Sequence, residues 1–420
     1  MECFRQVALA GIGLAALGVC LPVNAVAQEA ADPVTAIQAG APIVELRARY
    51  EGVEQAGRPD DAEALTLRSR LGWQTAKWSG LQALVEFEDV RPLADDRYDS
   101  ALNGRTTYAQ VFDPEVTELN RAQLVWTPSK DYTLTLGRQR MNLDNQRFVG
   151  GVAWRQDEQT FDAVRIDAGF GALKTTYAYV AHVNRIFAEA QDWDSDSHLV
   201  NATYTFGDQL ALTGFAYALD FTNAGAVEIN NQSSLTFGLK AAGAKDFGSW
   251  RLDYAAAAAR QSDYGSSLLD YDLDYRSAEL GAKAGEITGR VGYEQFEGNG
   301  TRGFTTPLGS LHAFNGWSDA FIANGVKTTV DGLTDLNISL GWAPVWSWEA
   351  VSNVSFLLRH HAFEAERTGM DLGSEWNLSV QGALTPKMNW ILKYADFDGS
   401  GIAPAPADRT KVWFGLEFKL

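Results

Sequence analysis

Apolar and polar residues alternate with a period of two along most of this chain. Val44, Leu46, Ala48 and Tyr50 fall on one face, with Glu45, Arg47 and Arg49 on the other. Leu65, Leu67, Leu71 and Trp73 oppose Thr66, Arg68 and Arg70, and Leu81, Ala83, Val85 and Phe87 oppose Gln82, Glu86 and Glu88. A fourth run sets Ala122, Leu124 and Trp126 against Arg121 and Gln123. Strict alternation predicts strands with one apolar and one polar face. Charges at every second position would ruin a sandwich core, but they suit a barrel with lipid outside and water inside.

Turn residues cut the pattern into connections of two lengths, in alternation. Short ones fall near 75–77, 128–131, 169–172, 207–209, 244–249, 283–286, 344–347 and 385–387. Long ones fall near 51–63, 89–118, 141–160, 183–197, 222–234, 261–272, 296–332, 362–374 and 396–408. Eight short turns and nine long loops imply 18 strands. The predicted fold is all-β: a transmembrane, antiparallel, up-and-down β-barrel with short periplasmic turns and longer external loops. Closure is required because an open sheet edge would leave backbone groups unpaired in hydrocarbon. Trp73, Trp78, Trp126, Trp250, Trp342 and Trp346 cluster beside the short turns, as an aromatic girdle at one membrane interface should. The chain ends on Val412, Phe414, Leu416, Phe418 and Leu420 in alternation, the form of a terminal barrel strand.

Residues 1–27 carry the marks of a cleaved signal peptide: Arg5, an apolar stretch from Val7 to Leu21, and Ala25-Val26-Ala27 before Gln28. Residues 28–41 form a short polar periplasmic lead, and 42–420 the barrel. Both cysteines, Cys3 and Cys20, sit in the signal segment, so disulfides and thiolate metal sites are not expected in the exported chain. A formal net charge of −18 argues against nucleic-acid binding, which needs a basic surface. The expected setting is the outer membrane of a Gram-negative cell, crossed many times, with lipopolysaccharide and lipid as neighbours.

The stretch from Gly137 to Ile166 has a strand-like run at each end and a middle dense in Arg, Gln and Asp. Its Gly137-Arg138-Gln139, Asn145-Gln146-Arg147, Trp154 and Thr160-Phe161-Asp162-Ala163-Val164-Arg165 resemble the signature of the alginate-export family of outer-membrane β-barrels. The resemblance implies a monomeric 18-stranded barrel with an electropositive pore for export of uronic-acid polymers. Such export would also need a periplasmic partner.

The candidate chemistry is a set of cations whose parity points them into the lumen: Arg47, Arg49, Arg68, Arg70, Arg121, Arg165, Lys174, Arg251, Arg290 and Arg359. Fixed guanidinium groups lower the barrier for anions and hold carboxylates in bidentate fashion. Arg138 and Arg140 share parity with Leu134 and Leu136 and would face outward on a simple strand. A bulge at Gly137 would turn them inward; the alternative is that they stand above the membrane, and their place in the family-like motif favours the inward reading. Glu45, Glu86, Glu88, Asp167, Asp253 and Glu294 also point inward, so the same arginines are equally suited to stiffening the wall.

Acidic loop clusters (Asp95, Asp96, Asp99, Asp113 and Glu115; Asp192, Asp194 and Asp196) suggest either a Ca²⁺ site or a solvated face. The second reading is preferred, and no cofactor or metal is assigned. One long loop, 89–118 or 296–332, is expected to fold inward and narrow the pore. Five histidines, no nucleophile elbow and no glycine-rich phosphate loop give little support to an enzyme. The expected function is a passive channel for anionic solutes, most of all acidic saccharides, with a general diffusion porin and a barrel enzyme as rivals.

Overall fold

The alternating runs become one closed sheet. The computed structural model describes residues 29–207, 209–323, 326–327, 329–345 and 351–420; the expected signal peptide with Cys3 and Cys20, and Trp346 of the girdle, lie outside them. The wall begins with β1 (Ala41–Gln55), β2 (Ala62–Gln74), β3 (Leu81–Pro92), β4 (Val116–Ser129), β5 (Tyr132–Gln139) and β6 (Thr160–Phe170). It continues through β7 (Leu173–Asn184), β8 (Trp193–Phe206), β9 (Leu210–Leu219), β10 (Ser234–Phe247), β11 (Trp250–Asp263), β12 (Asp272–Ala284) and β13 (Ile287–Phe296). A small hairpin, β14 (Ile322–Ala323) and β15 (Val326–Lys327), stands apart from the wall. The wall resumes with β16 (Leu333–Trp342), β17 (Ser352–Glu364), β18 (Asp371–Thr385), β19 (Met388–Asp398) and β20 (Arg409–Lys419).

Neighbours pair antiparallel throughout, and β20 returns to β1 with Leu46 opposite Phe418 and Tyr50 opposite Phe414. The sheet has 18 strands, the number that alternation predicts. Strands such as β1, with 15 residues, exceed the roughly 9–11 needed to cross a bilayer, so they extend beyond it. No helix among the described residues is long and apolar enough to cross a membrane.

Parity holds on the outer face. Leu71, Phe87, Leu124, Leu136, Phe237, Leu239, Ile338, Leu358 and Phe414 all stand exposed there, as a lipid-facing belt requires. Trp73, Trp126, Trp250 and Trp342 are exposed beside the short turns, joined by Phe170, Phe206 and Phe247. The polar lead contains a feature that alternation does not predict, the short helix α1 (Pro33–Gln38). Asp32 caps it by accepting from the N–H groups of Val34 and Thr35, and Pro33 takes the first position, where a missing N–H costs nothing. Trp73 Nε1 donates to Ile37 O, which holds the helix at the short-turn end of the wall.

Two connections fold into the lumen from the long-loop end. Segment 140–159 follows β5 and segment 297–332 follows β13. They meet each other, with Val149 bridged to Leu308, Gly150 N donating to Leu308 O and Ser310 N donating to Gln146 O. One of two loops, 89–118 or 296–332, is expected to turn inward, and 296–332 does so. The 89–118 loop contributes the buried Asp113, while the larger plug comes from 140–159. Met141, Leu143, Val149 and Leu308 of these segments pack on Phe161, Phe215, Tyr275 and Phe363 of the wall, so the upper lumen has an apolar core of its own.

Candidate pore constriction

The inner faces of β1 and β2 carry predicted arginines at every second residue, β4 carries Arg121, and β3 between them carries Glu86 and Glu88. Cross-strand neighbours stand close on one face of a sheet, so opposite charges there find each other. Arg70 Nε donates to Glu88, and Arg70 also lies 3.3 Å from Glu158. Arg68 Nη2 bridges Glu45 and Glu417, at 3.1 Å each. Arg121 holds Glu86 in bidentate fashion at 2.8 and 2.6 Å. Arg49 pairs with Asp113 and donates to Trp154 O, while Arg47 donates to Gln156 Oε1 at 2.8 Å and to Ala153 O and Arg155 O. This wall is therefore a buried network in which acids answer the bases. Its partners include Gln156 and Glu158, residues of segment 140–159 that alternation could not place.

Arg138 and Arg140 separate. Register is continuous through Gly137, which pairs with Gln123 and Ala163, so there is no bulge at that position. Gly137 has φ of +106°, and a Cβ there would meet Ala122 O at 2.3 Å, so glycine is required by close approach. Arg138 consequently keeps the parity of Leu136 and stays on the outer face. There it binds Asp162 in bidentate fashion at 2.7 and 3.0 Å and donates to Leu119 O. The expectation that it lines the pore is corrected. Arg140 lies one residue past the end of β5, free of the strand's alternation, and turns inward onto Glu158 and Glu86. Arg165 faces inward nearer the short turns and pairs with Asp167 at 2.8 Å.

A second network fastens segment 297–332. His312 stacks on Trp154 with centroids 4.6 Å apart. Lys393 Nζ lies 2.7 Å from His312 Nε2 and sits over the rings of Trp154 and Trp317. Asp319 takes His312 on one side, and Arg155 and Lys411 at 3.0 and 3.3 Å on the other. Burial alone would raise the Asp319 carboxyl. His312, Lys411 and Arg155 outweigh it and hold Asp319 well below the usual carboxylate range. Further round, Arg147 joins Glu294 at 2.8 Å and Asn315 at 2.7 Å beneath the rings of Phe296 and Phe314. Three elements of the family-like motif thus hold the plug: Arg147 and Trp154 from within it, and Gln139 at its root, bonded to Ala163 O.

The plug leaves a cavity of about 130 Å³ against β10 to β17. Small residues on the wall (Ala242, Ala255, Ala257, Ser277, Gly292) create the space, and Phe148, Phe215 and Tyr275 bound it. Three cations line it, Arg147, Lys240 and Arg359, together with the carboxylates of Asp144, Glu279, Glu294 and Asp335. Arg147 is paired as described, while Arg290, directed to the same inner face, is bound by Asp253 and Glu279 at 2.6 Å each. Lys240 and Arg359 line the cavity with no hydrogen bond or ion pair to any described residue, and Arg359 Nε is buried without a partner. Of the predicted lining arginines, only Arg359 borders this cavity. Lys240 was missed although its signal was legible: Phe237 and Leu239 face outward, so Lys240 between them and Ala242 must face inward.

The sequence model of the family described as alginate export matches residues 44–269. In fold, the chain is similar to Pseudomonas aeruginosa OccK9 (OpdG), with a TM-score of 0.68 at 15% identity over 92% of this chain and 100% of that one. It is likewise similar to Acinetobacter baumannii OccAB4, with a TM-score of 0.69 at 12% identity over 91% of this chain and 98% of that one. Pseudomonas aeruginosa OpdK, solved with vanillate, gives a TM-score of 0.67 at 14% identity, covering 91% and 99%. No curated protein matches the sequence.

Proposed function

The chain belongs to the alginate-export family of outer-membrane β-barrels, and on that premise we propose that it is a passive channel for anionic solutes, acidic saccharides above all. The observation that carries this reading is the pair Lys240 and Arg359, whose charged ends border the cavity with no hydrogen bond or ion pair to a described residue, although Asp144, Glu279 and Asp335 line the same space. An unengaged guanidinium offers a carboxylate two parallel N–H donors, and an ammonium nearby adds a point charge without fixed geometry. Phe148, Phe215 and Tyr275 beside them supply flat apolar surfaces for the body of a sugar or organic acid. With segments 140–159 and 297–332 filling the other side, passage runs along the β10–β17 wall, one solute at a time.

The reading includes no catalytic step. Direction is set by the gradient and by any periplasmic export partner, and lipopolysaccharide is the expected neighbour of the outer face. A second reading, the weakly selective diffusion porin, draws support from the β1–β4 wall, where glutamates and aspartates neutralise the arginines.

Single channels in a planar bilayer under a KCl gradient separate the two. The reversal potential should show anion preference, Lys240→Ala with Arg359→Ala should reduce it, and uronate oligomers should block the current. Equal permeability or cation preference with large currents would reject the anion channel in favour of the diffusion porin.

A further inference from the structure

Glu88 on β3 and Glu118 on β4 stand directly opposite each other in register, both turned inward. Like charges in that position repel across the sheet. Segment 140–159 adds a third carboxylate, Asp157, and one oxygen from each of the three lies within 4.8 Å of the others. Arg70 serves Glu88 and not the other two. Asp157 is fully buried, and neither of its oxygens has a well-formed hydrogen bond to a described residue; the Glu88 carboxyl and the Ala188 N–H face it without reaching bonding geometry. Glu118 Oε1 is likewise buried and unpartnered. A buried carboxylate without a donor or counter-charge costs several kcal/mol or more. Asp157 has neither, and Glu118 feels only the field of Arg138, whose guanidinium is already bound to Asp162, so their convergence favours a positive species between them.

We propose that Glu88, Glu118 and Asp157 form a Ca²⁺ site that clamps segment 140–159 to the β3–β4 wall. The donors are all oxygen, which selects a hard cation over Zn²⁺ or Cu²⁺. The three oxygens lie within 4.8 Å of one another, close enough to converge on one ion, and the flexible Ca²⁺ shell, with bonds of about 2.3–2.6 Å, suits an irregular carboxylate trio better than the strict octahedron Mg²⁺ demands. Water completes the shell, since Ca²⁺ takes about 6–8 ligands. Glu88 lies near the long-loop end of β3, the external side of a barrel of this kind, where the medium supplies the ion. The clamp depends on these residues alone and not on the ion selectivity of the pore.

The test uses the full mature chain refolded from denaturant into detergent, so that no lipopolysaccharide contributes bound metal. After treatment with EDTA, equilibrium dialysis against radiolabelled CaCl₂ should find one ion per chain. Asp157→Asn and Glu118→Gln should each weaken binding on the order of tenfold or more, and Asp194→Asn at the exposed start of β8 should not. Heat-dependent gel mobility reports whether each variant is folded; if Asp157→Asn does not fold, Glu118→Gln carries the comparison. EDTA should also lower the thermal midpoint of the wild type and leave that of Glu118→Gln unchanged. Absence of stoichiometric binding by the wild type would overturn the proposal in favour of a proton shared between two of the acids. Binding unchanged in both variants would overturn it equally.

Discussion

Lys393 Nζ stands 2.7 Å from His312 Nε2, joining β19 to the inserted segment 297–332. Nδ1, 3.0 Å from the Asp319 carboxylate, directs the ring's proton to it, which leaves Nε2 to accept from Lys393. His312 is therefore neutral in this fold. Burial first, then Lys393, hold its pKa well below the usual imidazole range, against the opposing pull of Asp319. The direction sets the sign of its linkage to stability. A depressed histidine contributes fully above the unfolded pKa near 6.5, and the contribution is lost as pH falls below it, because only the unfolded chain then binds the proton.

Acidification from pH 7 to 5 should therefore lower the stability of the wild type by on the order of 2 kcal/mol through this residue alone, at about 1.4 kcal/mol per pH unit. His312→Gln, which has no proton to gain, should show a correspondingly smaller loss in denaturant midpoint between the same two pH values. An identical pH response in the two proteins would mean that His312 is not held neutral by its surroundings.

Buried and exposed arginines of the same lumen should differ sharply. Arg70 is almost completely buried between Glu88, Glu45 and Glu158. Removing one partner of a buried ion network leaves charge uncompensated, so Arg70→Ala should cost about 3–5 kcal/mol. Arg165 pairs with Asp167 in a more open part of the lumen, where a solvated pair is worth about 0–1 kcal/mol. Urea titrations of the detergent-solubilised protein compare the two. Similar losses would indicate that water screens the Arg70 network more than its burial suggests.

Alternation made the wall legible because a period of two fixes both the strand and its facing side. The runs around Phe87 and Phe414 show their outward residues exposed and their inward ones buried, and Leu46 and Leu71 likewise stand exposed on the outer face. The same period sets His360 and His361, adjacent on β17, on opposite faces, one against Trp376 outside and the other bound to Asp335 inside. The plug was not legible, because segments 140–159 and 297–332 have no period to read. Asp157, Glu158, His312 and Asp319 reach their partners through tertiary contacts 70 or more residues away in several cases, as between Glu158 N and Glu88. Arg138 shows the limit from the other side: its parity with Leu136 was the correct signal, and its presence in a family-like motif pulled the reading inward.

The outer belt makes a depth-dependent prediction. Leu239 is 70% exposed in the middle of β10, between residues 234 and 247. A lysine there would place its charge near the bilayer midplane, at a cost of about 2–4 kcal/mol. Phe206 is also exposed but ends β8 beside a short turn, where the same substitution should cost about 0–1 kcal/mol. Refolding into lipid vesicles at graded guanidinium concentrations measures both. Equal costs would contradict the placement of the belt across the strands.

The route along the β10–β17 wall has a steric test that is independent of charge. Ala257 lines the cavity and sits in register with Lys240 on one side and Ser277 on the other. Its methyl group leaves open the space that a ring would fill. Ala257→Phe should reduce single-channel conductance several-fold, because a cavity of about 130 Å³ has little room to spare, while the reversal potential moves little with all charges intact. Lys240→Ala should do the reverse, shifting selectivity with a smaller effect on conductance, since it removes a charge and widens the passage. If Ala257→Phe conducts like the wild type, ions cross the barrel elsewhere, and the neutralised arginines of β1 to β4 would have to be reconsidered as the lining of the path.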